Sequence, residues 1–205
     1  MPLKTILTTL GLLAIFLLPQ GARAADRDVR FIRENVSKVL AILSDTGLTD
    51  AQKATKFQKE IQKIADVNVI AKFVLGPYAS SASLEDMESF TDTFRQYAIG
   101  VYQSELGRFG SETVKVLGTQ ERRPGDTIVM TRVSGGALKN KPRDIKWRVM
   151  IIKGRPQVVD IEISGVWLSQ HQRAEITGII AKNNGQIRAA TKMLCARTPD
   201  CRTTG

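Results

Sequence analysis

Apolar residues recur at three- and four-residue steps across residues 29–106, which is the pattern of amphipathic helices. Breaks in this pattern divide the region into four predicted helices. The third segment, Val67 to Leu75, is nearly all apolar and should end at Gly76-Pro77. The fourth is the longest, and Ser83 can cap its start. The apolar face of that fourth helix consists of Met87, Phe90, Phe94, Tyr97, Val101, Tyr102 and Leu106.

The apolar period changes from about 3.6 to 2 after Glu112, which predicts strands. Four alternating segments follow, near residues 114–122, 127–133, 145–151 and 159–163. A helical period then returns, and a last helix should end near residue 195. This order predicts an α+β domain, with a curled antiparallel sheet of about four strands and helices packed on one face.

The last two strands should form a hairpin whose inward residues are odd-numbered in both strands. Directly opposite residues of an antiparallel pair share a face. Without a bulge, the connecting loop must therefore contain an odd number of residues, and three residues around Gly154 satisfy this condition. The residues that this register places together on the outer, solvated face are Lys146, Arg148, Asp160 and Glu162.

The first 24 residues have the composition of a cleaved secretory signal. Lys4 precedes an uncharged run from Ile6 to Leu18, and Ala22-Arg23-Ala24 has the small-x-small pattern of a cleavage site. The run is shorter than the roughly 20 residues that a membrane-spanning helix needs. We therefore predict cleavage after Ala24, export to an oxidising compartment, and a single domain over residues 25–205.

Cys195 and Cys201 are the only cysteines, and an exported protein favours a disulfide between them. So short a loop removes little unfolded-state entropy, so the bond should hold the carboxyl-terminal tail instead of the core. A metal site would need more ligands than two thiolates and the single, distant His171. We expect no metal and no cofactor.

The formal charge falls from +10 to +8 when residues 1–24 are removed, because they contain Lys4 and Arg23 and no acid. The basic residues are scattered and not interleaved with aromatic ones, which argues against nucleic acid binding. Attraction to anionic lipid headgroups or to acidic partners fits the charge and the compartment better. The length fits one domain, which we expect to be monomeric.

Residues for catalysis are scarce. One histidine excludes a two-histidine metal site, and neither a G-x-S-x-G turn nor a phosphate-binding glycine loop is present. Asp160 and Glu162 alternate onto a polar strand face, where structural charges are expected more often than an acid-base pair. The composition favours a protein that is not an enzyme.

Several segments together resemble the MlaC, or toluene-tolerance, family. Residues 69–78 resemble its helix and "LG-x-Y" turn, and Phe90-x-x-x-Phe94 with Val101-Tyr102 resembles its long helix. Residues 158–168 resemble its "V-D-V-x-x-E-G-V-S-L" strand, followed by Gln172-Arg173. The similarity covers nearly all of residues 25–205, with the elements in the same order.

The resemblance implies a periplasmic carrier that binds phospholipid acyl chains in an apolar cavity between sheet and helices. It implies two partners, an inner-membrane ABC transporter complex and an outer-membrane lipoprotein complex, and a role in maintaining outer-membrane lipid asymmetry. Periodicity identifies inward faces but cannot distinguish a hollow core from a filled one. The candidate lipid-binding residues are Val74, Leu75, Tyr78, Phe90, Phe94, Tyr97, Val101, Val149, Ile151, Ile161 and Ile163.

Three departures from the family pattern leave the cargo open. Ala79 and Pro156 stand where members often have Trp, and Trp167 replaces the usual Ser after Gly-Val. Such changes near a cavity could alter which lipid fits. Three alternatives therefore remain, namely a carrier of hopanoid or another polyisoprenoid lipid, a scaffold of the envelope that binds no lipid, and an enzyme on a related cone-shaped fold.

Overall fold

The computed structural model describes residues 20–106, 111–199 and 201. Within them, four helices precede an antiparallel sheet and two helices follow it. Short 3-10 helices lie at Gly76–Ser80 and Gly136–Leu138. The α-helices are α1 (Gln20–Ser44), α2 (Asp50–Ile64), α3 (Val67–Leu75), α4 (Leu84–Leu106), α5 (Leu168–Lys182) and α6 (Ile187–Ala196), and the strands are β1 (Glu112–Arg123), β2 (Asp126–Gly135), β3 (Arg143–Ile152), β4 (Arg155–Ile163) and β5 (Val166–Trp167).

The starts of three helices follow from side-chain caps. Thr49 forms a capping box with Gln52, in which each side chain accepts a hydrogen bond from the backbone N–H of the other. Asp66 accepts the N–H of Val69 at 3.1 Å and begins α3. Ser83 accepts the N–H of Asp86 at 3.0 Å and begins α4. These bonds satisfy donors that the first turn of a helix leaves free.

Helix α3 has the bounds that the sequence predicts, because Gly76 ends it in a conformation that suits glycine. Its φ is 58°, and a Cβ there would lie 3.2 Å from the guanidinium of Arg173 and from the side chain of Thr177. Pro77 follows and cannot continue the α-helical hydrogen bonds. The turn therefore lets α5 approach the end of α3 closely.

The sheet confirms the predicted α+β class and adds a strand. Its order is β1-β2-β3-β4-β5, every described pair of neighbours is antiparallel, and it does not close. Strand β5 has only two residues and pairs with the end of β4, from which the chain enters α5 directly. So short a strand leaves no alternation in the sequence, which is why about four strands were expected.

The predicted length of the loop between β3 and β4, three residues, was wrong. Ile152 pairs with Arg155, so only Lys153 and Gly154 form the turn, with φ of 49° and 77°. Positive φ at both positions is typical of the tight turns whose twist matches that of a hairpin. A bulge nevertheless places the odd-numbered residues Ile161 and Ile163 on the same face as those of β3. Arg148 pairs with Asp160 whereas Val149 pairs with Val158, which leaves Val159 unpaired.

The outer face of the hairpin differs from the prediction in one carboxylate. Lys146 and Glu162 form the expected ion pair at 2.8 Å. Asp160, expected to be solvated, is only 6% exposed. It accepts hydrogen bonds from the backbone N–H of Ser169 at 3.0 Å and from the Ser169 hydroxyl. Asp160 therefore ties β4 to the first turn of α5, where the unpaired N–H groups of a helix favour a carboxylate.

Two apolar clusters form the core of the described part of the chain. The helical cluster combines buried residues of α3, α4, α5 and α6. The sheet cluster is smaller and combines Ile32 of α1 with Val129, Val149 and Val158 of the sheet. An isolated bridge between Ala65 and Val158 joins the α2–α3 junction to β4. The buried members of the helical cluster are Ala71, Val74, Leu75, Phe90, Phe94, Ile176, Ile180, Ile187, Ala190 and Leu194.

The amino-terminal part of the export prediction is not tested by the structure, whereas the expected carboxyl-terminal disulfide is present. The predicted signal core, Ile6 to Leu18, lies outside the described residues, and the predicted cleavage site after Ala24 falls within α1 as it stands in the full chain. Cleavage stays a prediction. Cys195 and Cys201 form the expected disulfide, with their Cα atoms 5.3 Å apart. Among the described residues, no helix is long and apolar enough to cross a bilayer.

Candidate lipid-binding site

Most of the candidate lipid-binding residues divide between the two clusters. Those of α3 and α4, except Val101, belong to the helical cluster, where Val74, Leu75, Phe90 and Phe94 are buried. The Phe90 and Phe94 rings stack with their centroids 5.9 Å apart. Tyr78 and Tyr97 pack against this cluster and are half-buried.

The remaining candidates lie on the sheet, apart from Val101. Val149 is fully buried in the sheet cluster, and Ile161 packs against it. Ile151 and Ile163 are half-buried and belong to neither cluster. Val101, on α4, is 46% exposed, unlike the aromatic residues that precede it on the helix. The structure thus brings the candidates together in two groups, and whether they line one cavity stays a prediction.

The inner face of β3 and β4 carries large apolar side chains that are incompletely covered. The register places Ile145 opposite Ile163 and Trp147 opposite Ile161, so these four share a face. All four are only half-buried, as is Ile151 farther along β3. We call these five residues the inner-face row. Part of the cover is α1, which packs Ile32 on the sheet cluster and also contributes Val29, Phe31 and Val36 to its periphery.

Trp147 is fixed on this face by a hydrogen bond. Its Nε1 donates to Thr131 Oγ1 at 2.8 Å, and that hydroxyl donates to the backbone carbonyl of Ile145 at 3.2 Å. Thr131 is fully buried. Since both polar groups are satisfied, the indole presents an apolar surface without leaving a polar atom unpaired. Sequence periodicity identified Trp147 as inward-facing but gave no sign of the role of Thr131.

Polar atoms without a partner lie inside the structure at positions that the apolar pattern does not identify. Among the described residues, Asp28 Oδ2, Thr93 Oγ1 and Gln172 Oε1 are buried and accept or donate no hydrogen bond. Gln172 Nε2 lies 3.5 Å from the hydroxyl of Tyr97, which is one helical turn after Thr93. Buried polar groups are usually paired. These three atoms could therefore each hold a polar group of a ligand or a water molecule.

The outer face of the sheet is held by charge. Arg148 donates Nε and Nη2 to the two carboxylate oxygens of Asp126, at 3.0 and 2.8 Å. Arg122 and Arg123 lie 3.8 and 3.5 Å from the same carboxylate. The Arg148 hydrogen bonds, together with these charges, lower the pKa of Asp126 although burial acts in the opposite direction. Asp126 therefore stays ionised at neutral pH.

Two depressions carry an excess of basic residues. The larger has a volume of about 720 Å³ and lies between the end of α2, the start of α3, α4 and the β3–β4 turn. The smaller, of about 430 Å³, lies between α1 and α2, and Ala41 and Ile42 are among its lining residues. Lys63 borders both. The other basic residues of the smaller one are Lys38, Lys56 and Lys59.

The residues that could have been mistaken for catalysts occupy structural positions. The Ser169 hydroxyl is bonded to Asp160. His171 is exposed in the first turn of α5. Within the described ranges, no group of three or more His, Cys, Asp or Glu residues could hold a metal ion.

Comparison with known proteins decides the family. The sequence profile of the MlaC protein family matches residues 33–195. The chain belongs to the MlaC family. Its fold is similar to that of a phospholipid-binding protein from Ralstonia solanacearum, solved in complex with a phospholipid, with a TM-score of 0.74. The two are 23% identical, and the match covers 83% of this chain and 96% of the other. No curated protein sequence matches the chain.

Membership of the MlaC family confirms the resemblance seen in the sequence. Family membership indicates a binding or transport protein rather than an enzyme. It also indicates that the process is lipid transport. The departures noted above fall at three different places in the fold. Ala79 packs beside the helical cluster, Pro156 is opposite Ile151 in the hairpin, and Trp167 is opposite Glu162 in β5.

Proposed function

We propose that the chain is a periplasmic carrier that holds the acyl chains of a phospholipid between the inner face of the sheet and the helices. In this proposal it moves lipid between an inner-membrane ABC transporter complex and an outer-membrane lipoprotein complex, and so maintains outer-membrane lipid asymmetry. The observation that supports it best is the inner-face row. Five large apolar side chains on β3 and β4 are only half-buried, in a member of the MlaC family.

The energetics of lipid transfer require such a surface. Two acyl chains of ordinary length contain about 30 methylenes, and each is worth ~0.8 kcal/mol on burial. Exposing them to water would cost on the order of 20–25 kcal/mol by that measure. A protein that lets α1 and the helices move apart over the inner-face row would replace the bilayer as the apolar environment. The phospholipid of the structural relative supports this assignment.

The first experiment is expression of the full chain in a Gram-negative host and recovery from its periplasm. Native mass spectrometry is then run on the intact protein and after organic extraction. We expect a polypeptide that begins at Ala25, retains the Cys195–Cys201 disulfide, and carries one extractable phospholipid. Recovery of the uncleaved chain in the cytoplasm would contradict the assigned compartment.

The lipid result separates the carrier from its alternatives. A bare protein that takes up added hopanoid, but not phospholipid, would assign the cargo to the polyisoprenoid lipids. A bare protein that takes up neither would identify an envelope scaffold instead of a carrier. Retention of lipid transfer after replacement of His171 and Asp160 by non-ionisable residues would exclude an enzymatic role for them.

A further inference from the structure

The larger basic depression lies where the two apolar clusters meet. Val67, on its wall, packs against the helical cluster. Ala65, also on its wall, forms the bridge to Val158 of the sheet cluster. Gln157 Nε2 donates to the carbonyl of Lys63 at 3.3 Å and joins the hairpin to the end of α2. A ligand whose tails separated the two clusters would therefore have this depression at one edge.

Positive charge in the depression exceeds what its acids neutralise. Lys63, Arg95, Lys153 and Arg155 line it, against the single carboxylate of Asp66. That carboxylate accepts the N–H of Val69 as the cap of α3 and forms no ion pair with the four cations within the described residues.

The four cations are not equally compensated. Lys63 is paired with Glu60 at 2.6 Å, and Arg95 is paired with Asp92. Lys153 and Arg155 have no ion-pair partner in the part of the chain that the structure describes, and both are exposed. The β3–β4 turn thus presents two uncompensated cations to a depression with Ile152 and Val67 on its wall.

We propose that this depression binds the anionic headgroup phosphate of the carried lipid, and that Lys153 and Arg155 make the protein prefer lipids whose headgroup has a net negative charge. The proposal rests on the carrier function above. Cationic side chains bind phosphate through charge-assisted hydrogen bonds, with arginine suited to two at once. Phosphatidylglycerol would keep its full negative charge beside them, whereas the ammonium of phosphatidylethanolamine would be repelled.

The test is a competition between headgroups with identical tails. Lipid-free mature protein, recovered from the periplasm, is offered equal amounts of phosphatidylglycerol and phosphatidylethanolamine that carry the same acyl chains. Native mass spectrometry gives the ratio bound. Each exposed cation should contribute a factor of about two, so we expect about fourfold enrichment of phosphatidylglycerol. High salt should reduce the ratio, because exposed charges are screened.

Two double variants of equal charge decide the location. Lys153→Gln with Arg155→Gln should bring the ratio to about one and leave total bound lipid unchanged. Lys139→Gln with Lys141→Gln removes the same charge at the other end of β3, roughly 30 Å away at 3.4 Å per strand residue. This control should keep the wild-type ratio. An equal loss of preference in both variants would overturn the site, since it would reflect net charge alone.

The remaining outcomes distinguish failure of this proposal from failure of the carrier function. One bound lipid with no headgroup preference in the wild type would overturn the headgroup site alone. Inorganic phosphate is the control for a free anion. If phosphate binds the lipid-free wild type and fails to bind the Lys153→Gln, Arg155→Gln variant, while that variant keeps the wild-type lipid ratio, the depression binds a free anion instead of the headgroup. Absence of any lipid from all proteins would overturn the carrier function and this proposal together.

Discussion

The helical cluster and the sheet cluster bury their apolar residues to different degrees. In the helical cluster, ten residues from four helices are buried, and Phe90, Ile176 and Leu194 have no exposed surface. In the sheet cluster only four residues are buried. Around them, the inner-face row has large apolar side chains that are only half-buried. One part of the molecule buries its apolar side chains completely, and the other has apolar surface left to cover.

This difference indicates which part can receive a ligand without loss of the fold. Filling a close-packed region with a lipid would require its side chains to move out of their contacts. The sheet already holds its shape through backbone ladders and through outer-face ion pairs such as Asp126–Arg148 and Lys146–Glu162. In the proposed function, acyl chains would therefore bind to this inner face, while the helical cluster maintains stability. Three substitutions test the distinction.

The largest effect is expected from Phe90→Ala. Removing a fully buried aromatic ring leaves a cavity in the helical cluster and should lower the free energy of unfolding by about 4 kcal/mol. Urea denaturation of the lipid-free protein measures it. Phe90→Leu, which retains most of the volume, should lose much less. A loss below about 1.5 kcal/mol for the alanine variant, less than a well-packed ring allows, would mean that the helical cluster is not close-packed.

An intermediate effect is expected at Asp126, which fixes the outer face of the sheet. Because its pKa is lowered in the folded protein, its stabilisation is complete above the ordinary carboxyl pKa of about 3.9 and is lost as the pH falls below that value. Asp126→Asn should therefore cost about 2 kcal/mol at pH 7, and a smaller amount near pH 3. Unfolding curves of both proteins at the two pH values measure this.

The matched control for Asp126 is Asp144→Asn on the same sheet. Asp144 also accepts two hydrogen bonds from one arginine, Arg132, at 2.6 and 2.8 Å, but its side chain is 55% exposed. Its substitution should leave the unfolding curve at pH 7 nearly unchanged. A pH-independent deficit in the Asp126 variant would refute the ionic explanation.

The smallest effect on stability, but the largest on lipid, is expected from Ile161→Ala. Ile161 is only half-buried, so the lipid-free protein should lose only about 1 kcal/mol. The fraction of protein that retains lipid through purification should nevertheless fall severalfold. Ile180→Val in the helical cluster should cost a similar ~1 kcal/mol and leave lipid occupancy unchanged. Equal occupancy in the two variants would remove the distinction between the clusters.

The sequence predicts the elements of this fold well because their signals are local. Val67–Leu75 ends at Gly76-Pro77, a signal that acts within a few residues. The alternation of residues 145–151 gives strand β3 and its inner face correctly. The order of helices and strands follows from the same periods, and the α+β class follows from that order.

What the sequence does not predict depends on neighbours that are distant along the chain. Periodicity places Phe94 and Ile161 on inward faces, but it cannot tell that they enter different clusters. Asp160 alternates like a solvated residue, and only the return of the chain through β5 into α5 buries it beneath Ser169. The cations Lys153 and Arg155 gather with Arg95 only because α4 passes beside the hairpin.

The bulge leaves Val159 unpaired, so the hairpin would keep the faces of its side chains without this residue. The ladder pairs Val149 with Val158 on one side of the bulge and Arg148 with Asp160 on the other, and Ile161 and Ile163 face the same side as Trp147 and Ile145. Deleting Val159 alone would join these pairs into one regular ladder, in which Asp160 still lies opposite Arg148 and Glu162 opposite Lys146. Relatives that lack this residue should therefore have the same inner face, and one-residue deletions at this position should be tolerated in the history of the family.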